Sequence, residues 1–174
     1  LQKNLPYSPE KDFIPVVGMG QTKSIMVAGN HVPANSVREL VALAKAKPGA
    51  LNYGSFGVGS TVHLNTEELG ALAGMRVTHV PYKGSGPALN ELVGGQIQLM
   101  WGSLTAAVPH MKANRLRGIA VTTMNRSPLA PDLPSFNESI APGYDVTSWY
   151  LLYGPSGLPK DLQVFLNKEI IAVM

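Results

Sequence analysis

The chain contains no cysteine. That excludes disulfides and thiolate metal sites, and it suits either a cytoplasmic or a bacterial periplasmic protein. Charge is also sparse: 14 basic minus 11 acidic residues leave +3. The basic residues are scattered and the few aromatics, 7% of the chain, do not interleave with them. A nucleic-acid groove or a polybasic membrane patch is therefore a poor reading, and no nucleic-acid partner is expected. No stretch approaches the ~20 apolar residues of a membrane-spanning helix. There is no initiator methionine and no signal peptide. The chain opens on "LQKNLPYSPEKDF" and stops within a helical pattern, "DLQVFLNKEIIAVM". Both ends read as cut, so a fragment without its targeting information is expected.

What is present is a 174-residue chain that is 45% hydrophobic, enough for one sizeable core or one domain plus parts of another. Short apolar runs alternate with helical patterns. "SIMVAG", "LNYGS", "RVTHVPY", "IQLMWG" and "LRGIAVTT" read as strands, and "FIPVVGMG" as a further one. Between them, "NSVRELVALAKAK", "TVHLNTEELGALAG", "GPALNELVGG" and "TAAVPHMKAN" read as helices. Ser36 is placed to cap the first helix and Pro48-Gly49 to end it. Pro109 has to lie in a first turn or mark a break. This alternation predicts an α/β fold, a mostly parallel sheet flanked by helices on both faces. The Pro- and turn-rich stretch "MNRSPLAPDLPSFNESIAPGYD" reads as a long surface connection. "VTSWYLLYGP" then reads as a strand and "PKDLQVFLNKEIIAV" as a helix with Pro159 near its first turn. The organisation expected is a crossing segment 1–23, a compact α/β unit 24–123, and a return connection with a C-terminal part at 124–174.

Three strand ends share one design. After "LNY" come Gly54, Ser55, Phe56, Gly57, Val58, Gly59, Ser60 and Thr61, then a helix. After "HVPY", which ends at Tyr82, come Lys83, Gly84, Ser85 and Gly86, then a helix. After "IQLM" come Trp101, Gly102, Ser103, Leu104 and Thr105, then a helix. Glycine lets the backbone turn sharply and approach a ligand. A helix start offers unpaired N–H groups and about half a positive charge. At the carboxyl ends of parallel strands, several such starts make an anion site that needs no arginine. Read alone, Ser60, Ser85 and Thr105 are merely helix caps. Three such loops in succession favour a binding site.

The same residues carry partial signatures of chemistry. Gly54-x-x-x-x-Gly59-Ser60-Thr61 has the spacing of a phosphate-binding loop, but serine stands at the lysine position. Gly57-x-Gly59-x-x-Val62 lacks the third glycine of a dinucleotide fingerprint. Ser60 and His63 suggest a small hydrolase or transferase, yet no G-x-S-x-G elbow exists and no acid is placed to orient His63. His31, His79 and His110 have no metal-ligand spacing, and Glu67-Glu68 reads as a solvated helix face. No metal, cofactor or catalytic residue is expected. Binding groups without an acid, base or nucleophile point to a receptor rather than an enzyme.

"KDFIPV", "ELVALAKAKPGALNYGSFGVGSTVHL", "VTHVPYKGSGPALNELVGGQIQLMW", "VPHMKANRLRGIAVTT" and "RSPLAPDLPSFNE" together closely resemble the tripartite tricarboxylate transporter receptors, the TctC-like or Bug-type periplasmic solute-binding proteins. The resemblance covers nearly the whole chain. It implies a type II periplasmic-binding-protein-like fold, with a complete domain 2 and the returning part of domain 1 in this chain. It implies capture of a small organic carboxylate between two lobes and delivery to membrane permease subunits or a sensor. The family's domain-two contacts fall by position on Ser55 to Thr61, on the loop after Tyr82 and on the loop after Met100. His63 is expected behind the first loop, and Lys83 at the rim of the second. In several relatives the third loop reads Phe-Asp-Asn, whose aspartate can meet a ligand amine; here it reads Trp101-Gly102-Ser103. A "PFPPGG"-like loop that grips one carboxylate in the family is absent from this chain. Trp149 and Tyr150 are expected near the hinge or in the domain-one core. Without their partners there, exposed apolar surface and self-association are expected.

Overall fold

The computed structural model describes residues 4–174, so the first three residues of the expected crossing segment lie outside it. The chain order is β1 (Phe13–Gly29), α1 (Val37–Ala46), β2 (Asn52–Ser55), α2 (Thr61–Ala73), β3 (Thr78–Pro81), α3 (Ser85–Val93), β4 (Leu99–Ser103), α4 (Leu104–Lys112), β5 (Leu116–Val121), α5 (Phe136–Ser139), β6 (Thr147–Pro155) and α6 (Lys160–Val173). Local chemistry sets most of these limits. The Ser36 hydroxyl accepts the Glu39 N–H at 3.3 Å while Glu39 accepts the Asn35 N–H, tying off the start of α1. Gly74 ends α2 in the left-handed conformation, with φ 62°.

"FIPVVGMG" and "SIMVAG" are not separate strands but one 17-residue strand, β1. Nothing between them forces a turn, so the backbone stays extended. Pro109 lies neither in the first turn nor at a break; it sits inside α4. Its missing N–H forfeits the bond to the Thr105 carbonyl. Thr105 is exposed, so water can satisfy that oxygen and the short helix continues.

The chain divides into two compact units, Thr22–Thr147 and residues 4–21 with Ser148–Met174. In the larger unit the strand order is β3-β2-β4-β1-β5. β2 is parallel to β3 and β4, while β1 is antiparallel to β4 and β5. The sheet is thus mixed: β2 to β5 point one way and β1 runs against them. The segment Ile25–Gly29 of β1 is buried throughout because it is flanked by β4 and β5 and covered on both faces. One core joins α1, α2 and α5 to the sheet through Leu40, Val62, Leu69, Trp101 and Phe136. The other joins α3 and α4 through Ala88, Leu92, Leu104 and Met100.

Residues 124–147 are not a free surface connection. Phe136, Ala141 and Tyr144 are buried in the first core. A capping box at Ser135 and Glu138 starts α5, and Arg126 pairs with Glu138 at 2.8 Å. Contacts therefore extend the larger unit beyond the expected 24–123. The turn-rich composition hid three apolar anchors spaced too irregularly to form a periodic pattern.

In the smaller unit β6 pairs with β1. The Gln163 and Asn167 side-chain amides of α6 donate to the Pro15 and Val16 carbonyls, each at 2.7 Å. Pro159 stands at the N-cap of α6, and none of that helix's residues is buried.

Candidate ligand-binding site

β2 lies between β3 and β4, and all three point the same way. Their carboxyl ends therefore emerge side by side, within about 10 Å across the sheet. Each end leads directly into a helix: β2 into α2, β3 into α3, β4 into α4. The first N–H groups of those helices have no helical partner and carry the positive end of the helix dipole. The three loops singled out in the sequence are thus brought to one sheet edge.

The loop after β2 is wired from below. Ser55 is fully buried. Its Oγ accepts the Gly57 N–H and donates to the Gly57 carbonyl, both at 3.1 Å, and also meets Nε2 of His79. Gly57 and Gly59 adopt φ 122° and 83°, conformations that strain any residue with a Cβ. The Ser60 hydroxyl donates to the Gly57 carbonyl at 2.8 Å and accepts the His63 N–H at 3.4 Å. His63 turns its ring back to accept the Gly59 N–H on Nδ1 at 3.1 Å. Ser60 and His63 therefore serve the loop's own backbone, and their side chains form no nucleophile–base pair. Thr61 and Val62 open α2 with N–H groups that have no helical partner, and the Thr61 hydroxyl is exposed.

Beneath the loop stands a column that sequence reasoning missed. The His63 and His79 rings stack at 4.1 Å and 13°, and His79 stacks on Tyr53 at 5.0 Å and 23°. The Tyr53 hydroxyl donates to Glu67 at 2.9 Å. Burial, then the hydrogen bond and charge of Glu67, push the Tyr53 hydroxyl far above its ordinary range. Burial, then the neighbouring His63, hold His79 below the usual imidazole value, against an opposing pull from Glu67. The column arises from strand register, because Tyr53 of β2 is paired with His79 of β3. The available signal was a pair of histidines after the glycine loop, His63 just beyond it and His79 in the next strand.

The other two loops are barer. The Tyr82 N–H donates to the Ser55 carbonyl at 3.0 Å, which ties the second loop to the first. Burial, then Glu91, raise the Tyr82 hydroxyl's pKa. Lys83 is exposed. Gly84 starts α3 without a side-chain cap, leaving the Ser85 and Gly86 N–H groups available; Pro87 has none. In the third loop the Ser103 and Thr105 hydroxyls bond each other at 2.7 Å. A Cβ at Gly102 would meet only the Met100 methyl, at 4.0 Å. Trp101 is 1% exposed and packs on Phe136, so it belongs to the core; its indole Nε1 has no partner among the described residues. Phe56 is half-buried and touches both cores.

The model of the tripartite tricarboxylate transporter family receptor, TctC, matches residues 1–170. The chain belongs to this receptor family. A UPF0065 protein of Pseudomonas sp. is 36% identical to this TctC-family chain over 171 residues, 95% of the chain and 50% of the relative. Protein BugT of Bordetella pertussis is 30% identical over 98% of the chain and 52% of its own length. The TctC-family chain thus spans about half the length of the curated relatives it matches. Among solved structures, Rpa4515 of R. palustris with adipate superposes with a TM-score of 0.91 at 35% identity, covering 98% of this chain and 57% of that one. MatC from Rhodopseudomonas palustris with bound malate gives 0.89 at 30% identity, covering 97% and 57%. Family and fold are those of solute-binding receptors rather than enzymes. Among the described residues no helix is long and apolar enough to cross a membrane.

Proposed function

We propose that this chain supplies one half of the grip of a periplasmic receptor for a small organic carboxylate. The observation that carries the reading is the convergence of three helix starts, α2, α3 and α4, at the ends of three adjacent parallel strands. Backbone N–H groups and the hydroxyls of Thr61, Ser85 and Ser103 suit a carboxylate. The buried Ser55, the capping Ser60 and the backbone-bonded His63 shape the first loop; Gly57 and Gly59 bring its backbone close to the ligand. Tyr82, Lys83 and Gly84 border the second loop, and Gly102 and Ser103 the third. Trp101 and Phe56 support these loops from the cores.

In the full-length protein the ligand is captured between two lobes and handed to the permease subunits of a tripartite transporter, or to a sensor. The adipate and malate in the similar structures support a ligand of this chemical class. Gly102 has no side chain to pair with an ammonium group, so the ligand carries no amine. The test is a thermal-shift and calorimetric screen of mono-, di- and tricarboxylates on the full-length protein. A ligand at 100 times its Kd stabilises the fold by about 2.7 kcal/mol. If no carboxylate moves the melting temperature, the receptor reading fails. Tighter binding of aspartate or glutamate than of plain dicarboxylates would refute the Gly102 argument alone.

A further inference from the structure

Two nodes of the first loop are held from beneath, Gly59 by an imidazole directly and Gly57 by a serine that itself meets an imidazole. Gly57 is held at its N–H and its carbonyl by Ser55 Oγ, which also meets His79 Nε2. Gly59 is held at its N–H by Nδ1 of His63. The two rings lie face to face at 4.1 Å. We infer that His79, through its stack on His63 and its bond to Ser55, is a positioning residue that keeps the glycine loop in its anion-receiving shape, and that acid unlocks the loop. This rests on the receptor reading for its consequence to the ligand, though not for its consequence to the loop.

A serine hydroxyl has one hydrogen, and Ser55 Oγ has two acceptors in reach, the Gly57 carbonyl and Nε2 of His79. With the hydrogen on the carbonyl, Nε2 donates to Oγ; with it on Nε2, His79 accepts, and in either tautomer one hydrogen bond ties His79 to the serine that holds Gly57. On His63, Nδ1 is the acceptor for Gly59, so its hydrogen lies on Nε2. Any displacement of the His63 ring therefore releases the Gly59 N–H. A proton on His79 sets a charge against the face of its stacked neighbour. The titratable groups facing His79 are His63 and Glu67 of α2 and Tyr53 of β2. Glu67 favours the charged imidazole but is itself occupied by the Tyr53 hydroxyl. Burial and His63 oppose it more strongly. The loop is therefore set for an uncharged His79, and ligand affinity should fall on acidification.

The experiment follows the Gly57 and Gly59 amide signals by NMR in the ligand-free, full-length protein from pH 8 to 5, beside adipate affinity by calorimetry over the same range. Both amides should move along one titration in the wild type. His79→Gln, whose amide does not titrate, should flatten that response. At pH 8, His79→Phe keeps a stacking ring but loses the Ser55 bond. It should displace the Gly57 amide and weaken adipate binding roughly tenfold. His79→Gln, which can place an amide near the Nε2 position, should recover most of that loss. Protonation of adipate itself affects every variant alike, so the difference between variants carries the result. Loop amides that ignore pH, or that titrate equally in His79→Gln, would overturn the inference. Adipate binding with the same pH profile in wild type and His79→Gln would overturn it too, while leaving the receptor reading intact. Loop amides that titrate as expected in a protein that no carboxylate stabilises would uphold the loop mechanism and remove the receptor reading.

Discussion

In the larger unit Trp101 and Phe136 are each 1% exposed and Tyr53 is fully buried, whereas in the smaller unit Trp149 is 63% exposed, Tyr150 52% and Phe165 57%. Both sets sit in regular elements, and β6 (TSWYLLYGP) and α6 (KDLQVFLNKEIIAV) are no poorer in apolar residues than β2 (NYGS) or α5 (FNES). The difference is layering. The larger unit's sheet has helices on both faces, so aromatic residues pointing either way find a partner. The smaller unit contributes part of β1, β6 and α6, and no residue of α6 is buried. Apolar composition therefore marks a face that requires a partner, and only topology decides whether the same chain provides one.

The sharpest way to break this contrast is to remove an anchor from the layered unit. Trp101→Ala should cost about 3–5 kcal/mol, read from urea unfolding monitored by circular dichroism. A loss near zero would mean that the core on that side is not cooperative. Gly57→Ala should cost about 1–3 kcal/mol, because φ 122° strains a residue with a Cβ. It should weaken carboxylate binding in the full-length protein as well. A smaller effect comes from pH. Because His79 is held below 6.5 in the folded state, the unfolded chain takes up the proton first as pH falls. Stability is then full above that value and lost progressively below it, and the loss should be smaller in His79→Gln, as measured by urea midpoints at pH 7.5 and 5.5. The smallest expected effect is in the smaller unit: Trp149→Ala should change the stability of this chain by less than about 0.5 kcal/mol. The same substitution should reduce self-association seen by light scattering, since it removes exposed apolar surface.

Legibility in the sequence followed the range of the physics. Ser36, Pro48-Gly49, Ser60 and Gly74 act on neighbours a few residues away, so α1 and α2 could be delimited from the sequence. The three glycine-bearing loops could be found for the same reason, since each is a strand end joined to a helix start. The antiparallel course of β1 could not, because nothing in "SIMVAG" states which strands will flank it. The burial of Phe136 and Tyr144 was hidden by the prolines and turns around them. At the site, Ser55 and His63 could be named but not aimed: Ser55 faces inward and His63 faces the Gly59 N–H. His79 entered only as a histidine without metal spacing, because its role comes from β2–β3 register across 26 residues, from Tyr53 to His79.

The two indoles also give this protein a built-in pair of optical reporters. Trp101 sits dry, with no partner for Nε1 among the described residues, and should emit at the blue edge of indole fluorescence. Trp149 faces water and should emit to the red. Each unit thus carries its own colour, and quenching by a soluble agent such as acrylamide should strike the red component first. Any event that covers the face bearing Trp149 would then announce itself as a blue shift of that component, with no label added.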